Sequence, residues 1–264
     1  MIKFFRKIRQ NMIKENKVSK YLLYAIGEIL LVVIGILIAL QINNNNDARK
    51  ARESEINLYK NAIEDLTLEV KNIETQIGWF KSYQDLHYQL YKESKGQIPY
   101  EAEPDLNILI WTNISRSLIQ ENYATKVGNM TNKTIQDLFR DYIWREKLAM
   151  EAKQEFNDYK FGVVRPFLAK HGIYDNNFAF NDKPYSFRSL DKNGTVLDIN
   201  KLRDQYGTVE FDQILYGLRH TASWYLHVLD NQLLANKKLI EALEAYVNGN
   251  LEKLETIKPV DSYW

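Results

Sequence analysis

Residues 21–40 read YLLYAIGEILLVVIGILIAL, and this stretch decides the architecture. A helix needs about 20 mainly apolar residues to cross a hydrocarbon core of ~30 Å. The stretch meets that requirement, with Glu28 as its one charged residue. A core helix of a soluble domain would repeat a polar face, and no such face is present. The pattern predicts a transmembrane helix over residues 21–42. It divides the chain into a basic segment 1–20, the span 21–42 and a folded domain 43–264.

The flanks orient the span. Lys3, Arg6, Lys7, Arg9, Lys14, Lys17 and Lys20 precede it against a single acid, Glu15. On the far side Asp47, Arg49, Lys50, Arg52, Glu53 and Glu55 nearly cancel. Positive charge stays on the cytoplasmic side, so the domain from about Asn43 onward is expected outside the inner leaflet. The residues after the apolar run, Ala39 to Asn43, lack the small-x-small pattern of a cleavage site, which predicts an uncleaved signal anchor. Phe4, Phe5, Ile8 and Met12 among the cations would also suit a short amphipathic helix on the inner leaflet.

MIKFFRKIR at residues 1–9 and KYLLYAIGEILLVVIGILIALQINN at residues 20–44 resemble the N-terminus of an uncharacterised family of small single-pass membrane proteins of Bacteroidota, chiefly flavobacteria. The resemblance is specific over Met1 to about Asn44 and looser beyond. Family members often carry a tryptophan after the asparagine pair, where this chain has Asn45. The resemblance implies a Gram-negative inner membrane with the bulk of the chain periplasmic. It implies no activity and no catalytic residue.

Within the span, an ionisable group is costly and calls for a partner. Glu28 would either stay protonated, meet a cation on another helix, or snorkel toward the headgroups. Gly27, Leu31, Gly35 and Ala39 form a stripe beside it, and Gly35-x-x-x-Ala39 permits close helix approach. These five residues are the expected membrane helix–helix contact. The partners expected are the lipid bilayer and either a second copy or another membrane protein.

Beyond the span, Ile56, Tyr59, Ile63, Leu66, Val70, Ile73, Ile77 and Phe80 alternate in steps of three and four, predicting a coiled-coil-like seam. The spacing then changes to Tyr83, Leu86 and Leu90, which reads as a stutter. Gly96 and Pro99 end the helix near Lys95. Asn43–Asn46 would interrupt helix continuity if their side chains competed for backbone bonds; an unbroken helix is the alternative.

Further helices are expected after Pro104 (Leu106, Ile108, Leu109, Trp111, Ile114), near Tyr123–Val127, from about Thr131–Thr134 to His171, and from about Glu210 to Val247. In the third of these Arg145 takes one apolar place, Gly162 and Pro166 predict a kink, and Gly172 a left-handed cap. Asp191-Lys-Asn-Gly194 suggests a small hairpin within 174–207. The fold class expected is all-α: one transmembrane helix followed by an elongated helical bundle.

Composition excludes several functions. Net charge is +1, so no global excess favours nucleic acid. The chain has no cysteine, hence no disulfide and no thiolate chemistry. No P-loop, G-x-S-x-G, G-x-G-x-x-G or H-E-x-x-H occurs, and His87, His171, His220 and His227 lack ligand spacing. No cofactor, metal or catalytic residue is expected. An aromatic and basic region, Phe161 to Phe167 with His220 to His227, remains as a candidate groove.

The expectation is a non-enzymatic, membrane-anchored interaction or scaffold module of the cell envelope. The alternative is a periplasmic sensing arm. About 20 cytoplasmic residues cannot form an output domain, so a sensor of this kind needs a partner.

Overall fold

The computed structural model describes residues 18–101, 104–112, 116–181 and 196–261. The described elements are helical, joined by turns; the one β-type pairing is the isolated bridge of Tyr174 with Leu197. The proposed hairpin turn falls outside the described residues, as does Ile114.

Helix α1 runs Val18–Ser94. Asn43–Asn46 do not break it, because their side chains bond along the helix surface instead of attacking its backbone. Gln41 donates to Asn45 at 3.2 Å, Asn43 to Asp47 at 3.1 Å, and Arg49 to Asn46 at 3.1 Å. The helix stops at Gly96, whose φ of 65° suits glycine alone.

Then come a 3₁₀ turn Leu106–Leu109, α2 Leu118–Tyr123, a second 3₁₀ turn Val127–Asn129 and α3 Lys133–Tyr159. The helix expected after Pro104 is thus a single turn, capped by Asp105. Asn132 caps α3 by accepting from the Ile135 N–H. A π-helical turn, Lys160–Val164, joins α3 to α4, Arg165–Lys170. Proline at 166 has no N–H and its ring crowds the carbonyl four residues back, at Gly162; widening the turn relieves both. The expected kink is therefore a π turn, and Gly172 (φ 65°) ends α4. Helices α5 Asn176–Asn181, α6 Ile199–Arg203, α7 Val209–Val247 and α8 Leu251–Thr256 complete the order.

The chain divides into two units, ending and resuming at Leu58 and Tyr59. In the first, α1 has an 18-residue window of mean hydropathy 2.6 with none of it buried. By length and composition this helix can cross a membrane.

In the second unit α1, α3 and α7 pack side by side. Helix α7 is antiparallel to α1: Tyr59 meets Tyr246, Phe80 meets Tyr225 and Lys95 pairs with Asp212. It is antiparallel to α3 as well, since Asn236 bonds Tyr142 and Tyr159 bonds the Gln213 carbonyl. Phe80 sits at the centre, with ring centroids 4.9 Å from Tyr83, 4.9 Å from Phe156 and 4.6 Å from Tyr225.

The buried seam of α1 differs from the one expected. Tyr59, Leu66, Ile73, Ile77 and Phe80 are buried, but Ile56, Ile63 and Val70 are half-buried. Ala62, Glu69 and Gln76 are buried on the adjoining line instead. A buried line 59, 62, 66, 69, 73, 76, 80, 83, 87, 90 alternates by three and four, and Ile77 and Leu86 are buried beside it, so Tyr83, Leu86 and Leu90 of the expected changed spacing all face the core. Glu69, Gln76 and His87 hold core positions that a hydrophobicity pattern passes over.

Candidate functional site

The polar residues of the core form the candidate site. On α3, Glu146 and Lys153 stand seven apart, with Lys160 seven further on in the π turn, and all three are buried. Seven residues are nearly two full turns, so the three share a face. Glu146 and Lys160 each centre a group, the first with Glu69 of α1 and, through Tyr142, Gln232 and Asn236 of α7, the second with His87 of α1.

The first group surrounds Glu146. Its carboxylate accepts from the backbone N–H of Ile119 at 3.2 Å and of Gln120 at 2.7 Å, closing the first turn of α2. Burial, despite these two bonds, pushes its pKa up to about 7, and Glu69 and Glu121 add repulsion. Burial also raises Glu69, against a bond from Asn72. Tyr142 accepts from Gln232 and Asn236, each at 3.3 Å, and burial with both acids raises its hydroxyl. Asp65 of α1 accepts from Tyr123 at 2.8 Å and Asn122 at 3.0 Å, holding the other end of α2.

The second group surrounds Lys160, which is 0% exposed. Its ammonium donates to the carbonyls of Ile108 at 2.6 Å and Trp111 at 2.7 Å. It lies 4.4 Å from the Phe156 centroid and 4.7 Å from that of Tyr83. Burial, with a smaller push from Arg165, lowers its pKa to about 7. Arg165 donates to the Ile110 carbonyl at 2.7 Å, so two cations clamp one turn of backbone. His87 is buried here; burial, then Lys160 and Arg219, drive it down to about 3. Neither ring nitrogen has a hydrogen-bond partner among the described residues.

Arg145, expected as an interruption of an apolar line, is buried against Asp141 at 3.0 Å and donates to the Val260 carbonyl at 2.8 Å. It ties the C-terminal segment to α3. Sequence reading missed Glu69, Glu146, His87 and Lys160. The seven-residue spacing of Glu146, Lys153 and Lys160 was a signal for three residues of this site.

The aromatic region resolves into two separate places. Tyr159, Gly162, Val163, Pro166 and Phe167 line an open groove of about 330 Å³ against Glu210, Gln213 and Ile214. Lys170 and His171 both reach Glu210 at its rim, at 2.9 and 3.3 Å. His227 and Trp224 instead border a shallow dent with Trp144 and Arg145. At Gly217 an added Cβ would fall 2.1 Å from Tyr159 Cζ, so only glycine admits the ring beside the groove. Among the described residues no three His, Asp or Glu side chains gather as a metal site.

In the apolar stretch of α1, Leu31 and Ala39 are exposed, Glu28 is half-buried, and nothing lies within 4 Å of a Cβ placed at Gly27 or Gly35. Among the described residues nothing fills the space beside either glycine.

The described residues form an all-helical structure with one helix of membrane-spanning length and a polar-seamed core. No protein family, curated protein or solved structure matches it.

Proposed function

We propose that the protein is a membrane-tethered, non-enzymatic helical interaction module of the bacterial cell envelope, with residues 1–20 cytoplasmic and its bundle in the periplasm. The observation that carries the reading is the apolar length of α1, unburied by the described residues and preceded by seven cations against one acid. The resemblance of residues 1–44 to a flavobacterial membrane family supports the inner membrane. The perturbed groups serve the core in this reading: Lys160, His87 and Glu146 are 0, 1 and 2% exposed, and the bonds of Lys160 and Glu146 go to backbone groups of the same chain.

The orientation has a clean test, because the chain contains no cysteine. Ser54→Cys is expected to react with a membrane-impermeant maleimide in cells with a permeabilised outer membrane. Reaction only after the inner membrane is lysed would reverse the topology. For the span, we expect single-molecule counting in lipid to show an oligomer whose population falls in Glu28→Gln. A monomer indifferent to that change would remove the proposed helix–helix contact.

One observation favours a sensing arm as second reading: the groove beside the π turn is within the volume range of small-molecule sites.

A further inference from the structure

The groove between the π turn and α7 is shaped by two glycines. Gly217 carries no side chain, so the Tyr159 ring lies against α7, its hydroxyl donating to the Gln213 carbonyl at 3.2 Å. Gly162, in the π turn, lines the groove, and a Cβ there would meet nothing within 4 Å. Phe167 and Ile214, 4 and 5% exposed, supply apolar wall. A volume of about 330 Å³ suits a small molecule.

The rim selects the charge of that molecule. Lys170 donates to both oxygens of Glu210, at 2.9 and 3.0 Å, and His171 Nε2 stands 3.3 Å from the second. Both acceptors are therefore in use, while the ammonium, with three N–H groups and a side chain 63% exposed, keeps at least one for a further partner. Glu210 is the one acid among the residues lining the groove. The Lys170–Glu210 pair is exposed on both sides, so sharing the lysine with a second carboxylate costs little. The His171 ring packs on Phe167 with centroids 4.6 Å apart, which joins this rim to the apolar wall.

We propose that the groove binds a small apolar monocarboxylate, its hydrocarbon body against Phe167, Ile214 and Tyr159 and its carboxylate bonded to Lys170. The proposal gives the sensing reading a ligand class and rests on that reading. An amine would meet a saturated Glu210 and the like charge of Lys170, and a neutral amide would forgo the charge-assisted bond.

The test is a ligand-observed NMR titration of the full chain in lipid nanodiscs, with empty discs subtracted. The probes are phenylpropionate, its primary amide and phenylpropylamine, which share one apolar body. Phenylpropionate is expected to bind at least about tenfold more tightly than either of the others. Lys170→Gln, at an exposed position, is expected to abolish that preference while leaving the amide unaffected. Gly162→Leu fills open space in the groove and is expected to abolish binding of all three, with helicity by circular dichroism unchanged. Equal or tighter binding of the amide or amine, lost in Gly162→Leu, would overturn the carboxylate and leave the sensing reading standing. No binding by any probe, or binding indifferent to Gly162→Leu, would overturn the groove as a site and the sensing reading with it.

Discussion

Replacing Lys160 by alanine is expected to cost the protein about 3 kcal/mol or more. Two effects add. The carbonyls of Ile108 and Trp111 lose the donor that satisfies them, at roughly 1–3 kcal/mol for a buried group left unpaired. The aliphatic stem, packed at 0% exposure beside Phe156 and Tyr83, leaves a cavity. One effect opposes them, since an ammonium held out of water is released from the fold. Methionine keeps the volume and drops the charge, so Lys160→Met is expected to lose less.

The lysine also gives a pH signature. Its folded value of about 7 lies below the ordinary 10.5, so the folded state binds fewer protons between them. Stability contributed at this site therefore rises with pH through that window and is lowest below 7. The measurement is urea unfolding of the full chain in detergent micelles, followed by tryptophan fluorescence at several pH values. Wild type should gain on Lys160→Met as pH rises above neutral. A constant difference would mean that the lysine is not carrying a buried charge.

The second large effect is at Phe80. Phe80→Ala is expected to cost about 4 kcal/mol, because its ring is fully buried among three aromatic rings from all three long helices. Val70→Ala, on the line the apolar spacing alone would select, should cost under about 1 kcal/mol because Val70 is only half-buried. The same unfolding experiment compares them. Equal losses would mean that the seam of α1 runs where its hydrophobic residues alone place it.

The contrast shows what was legible. The long helices appeared in the sequence because apolar residues recur at helical spacing, and their ends because Gly96 and Gly172 permit a left-handed backbone. The rotation of α1 was not legible. Glu69, Gln76 and His87 look like solvated residues until Tyr142, Tyr225 and Lys160 are known to face that side; Tyr225, for one, donates to Gln76 at 2.6 Å. The helix expected after Pro104 shrank to one turn for a related reason: its last carbonyls are satisfied by Lys160 and Arg165, more than 45 residues away, not by a further turn.

The sequence by itself determined a helix of membrane-spanning length, because a stretch of about twenty mainly apolar residues needs no partner within the chain to be unfavourable in water. It determined the helical class and the positions of the long helices by the same local logic. Only the tertiary structure decided which polar residues are core. A buried acid or lysine is tolerated where distant atoms bond it, and those atoms, the N–H groups of Ile119 and Gln120 or the carbonyls of Ile108 and Trp111, come together only when the chain folds.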